Sequence, residues 1–262
     1  MTIINGLEFE RIGKGDPVLC LSGFGCSNWN FDLLKNLLAE NVELVLLNNR
    51  GMGNSEQIPK GHRIDDMANE SVALMKELGF EKFHVFGISM GGFIAQKIAL
   101  NHSECVLSLT LACTLSGGED FPSIQKLTEE SVRKGREFAD DVRERMICSM
   151  TIHPELLGSE IFDHIVNLRV SNVQDVEEVV KQQKAVDIFL DEVLPLETIK
   201  SPTLIMTGRE DRFVCPKASE VFHKKIKTSQ LKYIEKADHH FFLERSAQSA
   251  KAFLSFIQEN NR

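Results

Sequence analysis

Short apolar runs alternate with amphipathic helical segments along most of this chain. Val18–Leu21 is continuously apolar and Val42–Leu47 is nearly so, which is typical of strands buried on both faces of a parallel sheet. Ile64–Leu78 has its apolar residues at helical spacing and ends before Gly79, a common helix stop. The same patterns predict strands at Thr2–Ile4, Leu7–Glu10, Lys82–Phe86, Val106–Ala112, Pro202–Met206 and Leu231–Ile234, and helices at Trp29–Ala39, Met90–Leu100, Lys217–Ile226 and Ala247–Ile257. This alternation predicts an α/β fold with helices on both faces of the sheet.

Residues 117–196 interrupt the alternation. Their pattern predicts helices and no strand, at Ile124–Glu137, Asp140–Met150, Glu160–Asn167 and Val173–Lys184. A helical stretch of this length between two sheet strands is typical of an insertion over the strand ends. The predicted division is therefore a core of residues 1–116 and 197–262 and a helical cap of residues 117–196.

Composition narrows the classes of protein. The formal net charge of −8 argues against nucleic acid, because phosphate binding needs a concentrated basic surface. The six cysteines show neither paired nor zinc-ligand spacing, which predicts reduced thiols. The sequence shows neither an apolar N-terminal segment of signal-peptide length nor an apolar run of about 20 residues, so we expect a cytoplasmic protein without a membrane span.

The first sign of chemistry is the stretch Gly87-Ile88-Ser89-Met90-Gly91, which matches G-x-S-x-G between a predicted strand and a predicted helix. A serine at such a sharp turn has a strained backbone, and the flanking glycines remove Cβ atoms that would clash. The Ser89 hydroxyl would project above the sheet, near a helix start that favours negative charge. A glycine-rich turn with an incidental serine is the alternative interpretation.

A serine hydroxyl reacts only when a base takes its proton and a carboxylate orients that base. Glu210 and Asp211 follow one predicted strand, and His239 and His240 follow the next. Because the carboxyl ends of parallel strands meet at one edge of a sheet, we expect these side chains near Ser89. Metal binding by Asp238-His239-His240 is not expected, since no further ligands converge on them in the sequence.

These segments resemble the α/β-hydrolase superfamily, in its cap-bearing group of serine esterases. That group includes carboxylesterases, pimeloyl-carrier-protein methyl esterases, enol-lactonases and C–C bond hydrolases. The resemblance covers nearly the whole chain outside the cap and rests on Ser22–Gly25, Asn49–Ser55, Gly87–Gly92, Gly208–Asp211 and the histidine segment 235–241. It implies a mostly parallel, eight-stranded sheet flanked by helices, with an inserted helical cap.

The resemblance also implies a triad, with Ser89 as nucleophile, Asp211 as acid and His239 as base. The family's G-x-x-D pattern favours Asp211 over Glu210. The family's other acid position, directly after the strand that ends at Ala112, has no carboxylate in this chain.

The choice between the two histidines depends on spacing. Relatives place the base five residues before a glutamate, and Glu244 then selects His239, with His240 as the alternative. Asp238 stands where relatives have glycine.

For the oxyanion hole, the resemblance implies the backbone N–H groups of Phe24 and Met90. Ser22-Gly23-Phe24-Gly25 matches the family's His-Gly-x-Gly loop, although Ser22 replaces the histidine. Asn48 is a second departure, because relatives usually have aspartate at this position.

The implied function is hydrolysis of a carboxylic ester, or a related acyl bond, of a small to medium acyl substrate through an acyl-enzyme. The reaction needs neither a cofactor nor a metal. The predicted cap offers apolar residues for an acyl chain or for its own helix packing: Phe121, Leu127, Phe138, Met146, Met150, Phe162, Phe189 and Leu190.

Two alternatives remain open. The first is a methyl esterase acting on an acyl carrier protein, which the basic cap residues would bind unless neighbouring acids balance them: Arg133, Lys134, Arg136, Arg143 and Arg145. The second is a ligand-binding protein that keeps the hydrolase fold without turnover.

Overall fold

An eight-stranded sheet forms the centre of the computed structural model, which describes residues 1–124 and 127–260. The strands are β1 (Thr2–Ile4), β2 (Leu7–Gly13), β3 (Asp16–Leu21), β4 (Val42–Leu47), β5 (Phe83–Ile88), β6 (Val106–Ala112), β7 (Thr203–Gly208) and β8 (Ser229–Ile234). They lie in the order β1-β2-β4-β3-β5-β6-β7-β8. β2 is antiparallel to both neighbours, and the other pairs are parallel. The predicted fold class is confirmed.

Helices cover both faces of this sheet. They are α1 (Asp32–Leu38), α2 (Ile64–Glu77), α3 (Met90–Asn101), α4 (Glu129–Gly135), α5 (Asp140–Thr151), α6 (Glu160–Val170), α7 (Val176–Leu190), α8 (Lys217–Lys225), α9 (Phe241–Glu244) and α10 (Ser246–Asn260). Along β3, Leu19 and Leu21 join the core beneath α2, α3 and α8, whereas Val18 and Cys20 join the core beneath α1, α9 and α10. The apolar run of β3 is continuous because successive side chains enter opposite cores. Within the described ranges, no helix is long and apolar enough to cross a membrane.

Helix caps, rather than apolar periodicity, decide where two helices begin. The helix predicted at Ile124–Glu137 starts only after Thr128, whose side chain accepts a hydrogen bond from the first turn of α4. Residues 125 and 126 of that prediction lie outside the described residues. The helix predicted at Val173–Lys184 starts after Asp175, whose carboxylate accepts two N–H groups of the first turn of α7. Both caps satisfy donors that have no partner inside the helix.

Two short elements differ from the predictions. The segment Trp29–Ala39 begins as a 3-10 turn at Asn28–Phe31, and only its later part forms α1. The helix α9 was not predicted, because four residues are too few to show a helical period.

Helices α4 to α7 lie between β6 and β7 in the chain, and α7 with the segment before it contacts loops that follow β3 and β4. Three side chains from α7 and the segment before it accept hydrogen bonds from backbone N–H groups of these loops. The contacts are Gln182 Oε1 with Gly25 N at 2.6 Å, Glu178 Oε2 with Ile58 N at 2.6 Å and Gln174 Oε1 with Gly53 N at 2.7 Å. The placing of the cap boundaries at residues 117 and 196 stays a prediction.

Asn48 follows β4 and bridges a buried carboxylate and a backbone N–H. Its Nδ2 donates to Glu8 Oε2 and its Oδ1 accepts from Asn28 N, both at 2.6 Å. Burial alone would raise the pKa of Glu8, but hydrogen bonds from Asn54 and Asn48 outweigh burial and lower it. An aspartate at position 48 would have no N–H to donate to Glu8, which explains why asparagine occupies this position in this chain.

Five of the six cysteines are buried, and Cys215 is exposed. All six are free thiols. Burial raises the pKa of Cys20 and Cys113 well above the ordinary value, so these two thiols stay protonated and unreactive.

Candidate active site

Ser89 is the single residue between the end of β5 and the start of α3. Its backbone has φ 52° and ψ −117°, a conformation that side-chain-bearing residues rarely adopt. A Cβ on Gly87 would collide with the backbone of Gly91, and a Cβ on Gly91 would collide with Leu21 O. The two glycines therefore let the turn close, and the hydroxyl of the half-buried Ser89 stays on the open side.

Neighbouring strands hold this turn rigidly. Ser89 N donates to Ala112 O at 2.8 Å, and Thr114 Oγ1 donates to Ser89 O at 2.7 Å. The strained conformation persists because these contacts leave the backbone no other arrangement.

His239 and Asp211 complete a continuous chain of contacts from Ser89. His239 Nε2 lies 3.3 Å from Ser89 Oγ, and His239 Nδ1 lies 3.0 Å from Asp211 Oδ2. The other oxygen, Asp211 Oδ1, accepts N–H groups from Phe213 at 2.9 Å and Val214 at 2.8 Å. Asp211 and His239 are both buried. The three residues that were predicted as the triad thus lie within hydrogen-bonding distance in the predicted order.

The two alternative residues have other partners. His240 Nδ1 lies 3.1 Å from Thr151 Oγ1 at the end of α5. Burial, followed by the nearby charges of Arg169 and His239, lowers the pKa of His240 far below its ordinary value, so its ring is neutral. The half-exposed Glu210 lies 3.1 Å from His153 Nε2 rather than beside His239.

The predicted oxyanion loop lies against Ser89. A Cβ on Gly23 would lie 3.4 Å from Ser89 Cβ, which places the two residues in van der Waals contact. Cys26 N donates to Gly23 O at 3.2 Å, and in a trans peptide the N–H of Phe24 then points the opposite way. Met90 N belongs to the first turn of α3, whose N–H groups have no helical acceptor. Among the described residues, neither N–H has an acceptor, so both are available to a ligand.

Only some of the apolar residues predicted for the cap are buried. Phe189 is buried and stacks on Phe93 with ring centroids 4.4 Å apart. The half-buried Phe24 packs against the same core. Leu127, Phe138, Met146 and Met150 are exposed instead. These four side chains therefore add to the exposed surface and not to the packed core.

Sequence reasoning missed the groups that hold the histidine loop. Asp238, to which the sequence analysis gave no structural role, is fully buried and accepts the N–H of His239 at 2.8 Å. Glu244 Oε2 accepts the N–H of Asp238 at 3.1 Å and that of His153 at 3.3 Å. The sequence did offer one signal for these groups. Asp238 precedes the two histidines and Glu244 follows them within one short segment, so both carboxylates can accept hydrogen bonds from its backbone.

We expect Glu244 to make folding stability depend on pH. Burial raises its pKa from 4.5 to about 7, even though the N–H groups of Asp238 and His153 donate to it. The folded chain then binds this proton more tightly than the unfolded chain does. The stabilisation is complete below pH 4.5 and is lost as the pH rises through 7, by about 3 kcal/mol in total.

Glu244→Gln keeps an acceptor oxygen and removes the titration. Urea unfolding at several pH values between 4 and 8 should show the parent losing stability relative to this variant. Glu210→Gln, at an exposed carboxyl, serves as the control and should follow the parent at every pH. Parallel curves for the parent and Glu244→Gln would contradict the expectation.

The order of the strands, the strained serine and the chain of contacts from Ser89 to Asp211 are together typical of the alpha/beta hydrolase fold. The alpha/beta hydrolase fold family matches residues 16–246, and the chain belongs to this family as a hydrolase of that type. A relative from Pseudomonas putida, 2-hydroxy-6-oxononadienedioate/2-hydroxy-6-oxononatrienedioate hydrolase 2, is 29% identical over 96% of this chain and 91% of its own length.

Solved structures agree with this assignment. An esterase from Exiguobacterium antarcticum is 26% identical, with a TM-score of 0.79 over 96% of this chain and 95% of the other. The enol-lactonase from Burkholderia xenovorans LB400 has a TM-score of 0.84 at 19% identity, over 97% of this chain and 98% of the other. At that identity, the second likeness shows the fold alone.

Proposed function

We propose that this protein is a serine hydrolase that cleaves a carboxylic ester, or a related acyl bond, through an acyl-enzyme. The observation that carries the proposal is the contact chain from Ser89 Oγ through His239 to Asp211, with the serine on a strained turn. Such a chain supplies both the proton acceptor and the group that orients it.

In the first half of the reaction, His239 Nε2 accepts the proton of Ser89 as the hydroxyl oxygen attacks the acyl carbon. Asp211 accepts the hydrogen bond of His239 Nδ1 and stabilises the charged ring. The N–H groups of Phe24 and Met90 donate to the carbonyl oxygen as it gains negative charge. His239 then gives its proton to the departing alcohol, and the acyl group remains on Ser89.

Water completes the cycle by the reverse proton movements. His239 takes a proton from the water as its oxygen attacks the acyl carbon. The same N–H groups stabilise the second tetrahedral intermediate, and Ser89 recovers its proton when the carboxylic acid leaves.

Side chains around the triad favour an apolar acyl group. Phe213 lies edge-on to His239, with ring centroids 4.9 Å apart, and is partly exposed. Phe24 is half-buried on the side of the oxyanion loop. An acyl chain between them would remove apolar surface from water, at about 25 cal/mol per Å².

Cleavage of a C–C bond next to a ketone is the second candidate. The Pseudomonas putida relative is named for a keto-dioate, and a substrate of that kind brings carboxylates that need cationic partners. Arg169 is half-buried beside the oxyanion loop, with Nη1 4.0 Å from Cys26 Sγ. Glu144 already accepts Arg169 Nε at 2.7 Å, so this cation is neutralised, and we rank ester hydrolysis first.

An acyl carrier protein as substrate stays an untested prediction that gains little support. Acidic neighbours pair with four of the five basic cap residues, and Arg136 donates to a backbone carbonyl. The ion pairs are Arg133 with Glu129 and Glu177, Lys134 with Glu130, Arg143 with Asp140 and Glu144, and Arg145 with Asp163. The surface therefore presents little uncompensated positive charge to an acidic carrier.

A panel of p-nitrophenyl esters of increasing chain length tests the proposal. We expect many turnovers per molecule, with a preference for short to medium acyl chains. A keto-dioate assayed in parallel separates the second candidate from the first. Failure to turn over any ester or the keto-dioate, combined with a ligand that raises the Tm uncleaved, would support the ligand-binding alternative and overturn the proposal.

A further inference from the structure

Arg212 and Asp238 stand next to the acid and the base in the chain and contact each other in space. Arg212 directly follows Asp211, and Asp238 directly precedes His239. Asp238 Oδ1 accepts the backbone N–H of Arg212 at 2.8 Å, and Asp238 Oδ2 accepts its Nε. The same Oδ1 accepts the N–H of His239 at 2.8 Å. One buried carboxylate thus joins the loop of the acid to the loop of the base.

The guanidinium of Arg212 extends this connection to the cap. Its Nη2 donates to Ser149 O at 3.1 Å and to Ile152 O at 2.7 Å. These carbonyls lie at the carboxyl end of α5, where backbone oxygens have no helical donors and where a cation is favourable. The Arg212 side chain therefore binds the base loop through Nε and the cap through Nη2.

We propose that Arg212 and Asp238 are positioning residues, which fix the acid loop, the base loop and the end of α5 in one arrangement. This inference rests on the proposed function, since positioning matters only if Asp211 and His239 take part in the reaction. The pair does not touch the reacting atoms. It acts by holding His239 between Ser89 and Asp211.

The physical reason is the cost of a buried charge. Asp238 is fully buried, so its carboxylate is stable only while donors and a countercharge surround it. Two backbone N–H groups and one guanidinium N–H leave the side chain little freedom. Movement of either loop would break at least one of these bonds, and this makes the arrangement stiff.

Other contacts between the same segments keep the fold intact when the pair is removed. His240 N donates to Thr151 O at 3.1 Å, and Glu244 accepts the N–H of His153. We therefore expect variants of the pair to fold, with the base loop less well held.

The chain offers a matched control in the same two loops. Arg209 also follows β7, Glu235 follows β8, and their ion pair measures 2.8 Å. Both side chains are largely exposed, so this pair should contribute little. The two arginine side chains are about equally exposed, so the pairs differ in the burial of the carboxylate, which is complete for Asp238, and in contact with the cap, while charge type and loop position are alike.

A double-mutant cycle tests the proposal. Arg212→Met leaves Asp238 buried without its countercharge and should lower kcat by about 10²-fold, the size expected when a catalytic group shifts by about 1 Å. Arg212→Lys keeps the charge but loses the planar guanidinium that donates to Asp238 and to the cap at once. The kcat of this variant should therefore lie between those of the parent and Arg212→Met. Adding Asp238→Asn to Arg212→Met removes the unpaired charge and should restore part of the loss. Arg209→Met and Glu235→Gln should stay close to the parent and combine additively.

The pH profile distinguishes positioning from a general loss of structure. An unpaired carboxylate beside His239 stabilises the protonated ring, which cannot accept a proton from Ser89. In Arg212→Met, the acidic limb of kcat/KM should therefore move to higher pH, and Asp238→Asn in the same chain should move it back. The other titratable and charged groups that face this loop are unchanged in these variants, namely Asp211, His240, Glu244 and Arg169.

Amide hydrogen exchange provides a readout that does not depend on the reaction. Arg212→Met should speed exchange at the N–H groups of His239 and His240, and Arg209→Met should not. The proposal would be overturned if Arg212→Met kept the parental kcat, the parental acidic limb of kcat/KM and the parental rates of amide exchange. If the exchange changes as expected but Ser89→Ala keeps its ester turnover, the proposed function fails and the structural role of the pair stands.

Discussion

Replacing Ser89 with alanine should lower kcat/KM for an ester by about 10⁵- to 10⁶-fold, because the attacking oxygen is gone and no other group takes its place. The remaining N–H groups and bound substrate should still give a residual rate above that of water. A fluorophosphonate should add once to the parent protein, at Ser89, and not to the variant. Intact-mass measurement and steady-state assays check both statements.

Ser22→Ala is the matched control for this prediction. Ser22 is buried beside the site, in the predicted oxyanion loop, and within the described part of the chain its hydroxyl has no hydrogen-bond partner. In the proposed mechanism the loop acts through backbone N–H groups, so the loss of this hydroxyl should change the rate only slightly. Ester turnover that survives in Ser89→Ala, or labelling of both serine variants alike, would contradict the assignment of the nucleophile.

Replacing Asp211 with asparagine should lower kcat by about 10⁴-fold, although the shape of the site is preserved. Asp211 Oδ1 accepts two backbone N–H groups, from Phe213 and Val214. In the variant, the amide oxygen must keep that position, and the NH₂ group then faces His239 Nδ1. The ring can accept that hydrogen bond only if its own proton sits on Nε2. In this tautomer, Nε2 cannot take the proton from Ser89.

Glu210→Gln provides the comparison at the adjacent carboxylate. Glu210 is half-exposed and pairs with His153, so its change should leave kcat close to that of the parent. A steady-state assay of both variants, with melting curves to confirm folding, measures the difference. Equal losses in the two variants would show that the loop, rather than the acid, is responsible, and would contradict the role proposed for Asp211.

The strained turn at Ser89 could be predicted from local sequence because its causes are local. Gly87 and Gly91 permit the sharp turn, and the apolar run before Ser89 and the helix after it fix the direction of the hydroxyl. Asp211 and His239 could be proposed as acid and base from the sequence because each lies in the loop that follows a strand. The resemblance narrowed each pair of neighbouring candidates to one residue, and distances in the structure agree with that choice.

Other features depend on contacts between distant parts of the chain. The exposure of Met146 and Met150 could not be known, because a helical period shows which residues share a face and not what covers that face. The contact of Asp238 with Arg212 was equally hidden, since Arg212 lies 26 residues away in the chain. The cap carbonyl that Arg212 in turn contacts lies farther still.

The sequence by itself determined the alternation of strands and helices, the strained serine turn and the loops that carry Asp211 and His239. These features are set by residues a few positions apart, through side-chain period, glycine geometry and strand ends. Only the tertiary structure showed that His239 contacts Ser89 while His240 contacts Thr151, why asparagine stands beside Glu8, and how the cap is joined to the loop of His239. Those outcomes depend on burial and on hydrogen bonds between segments that meet only after folding, which a local pattern does not encode.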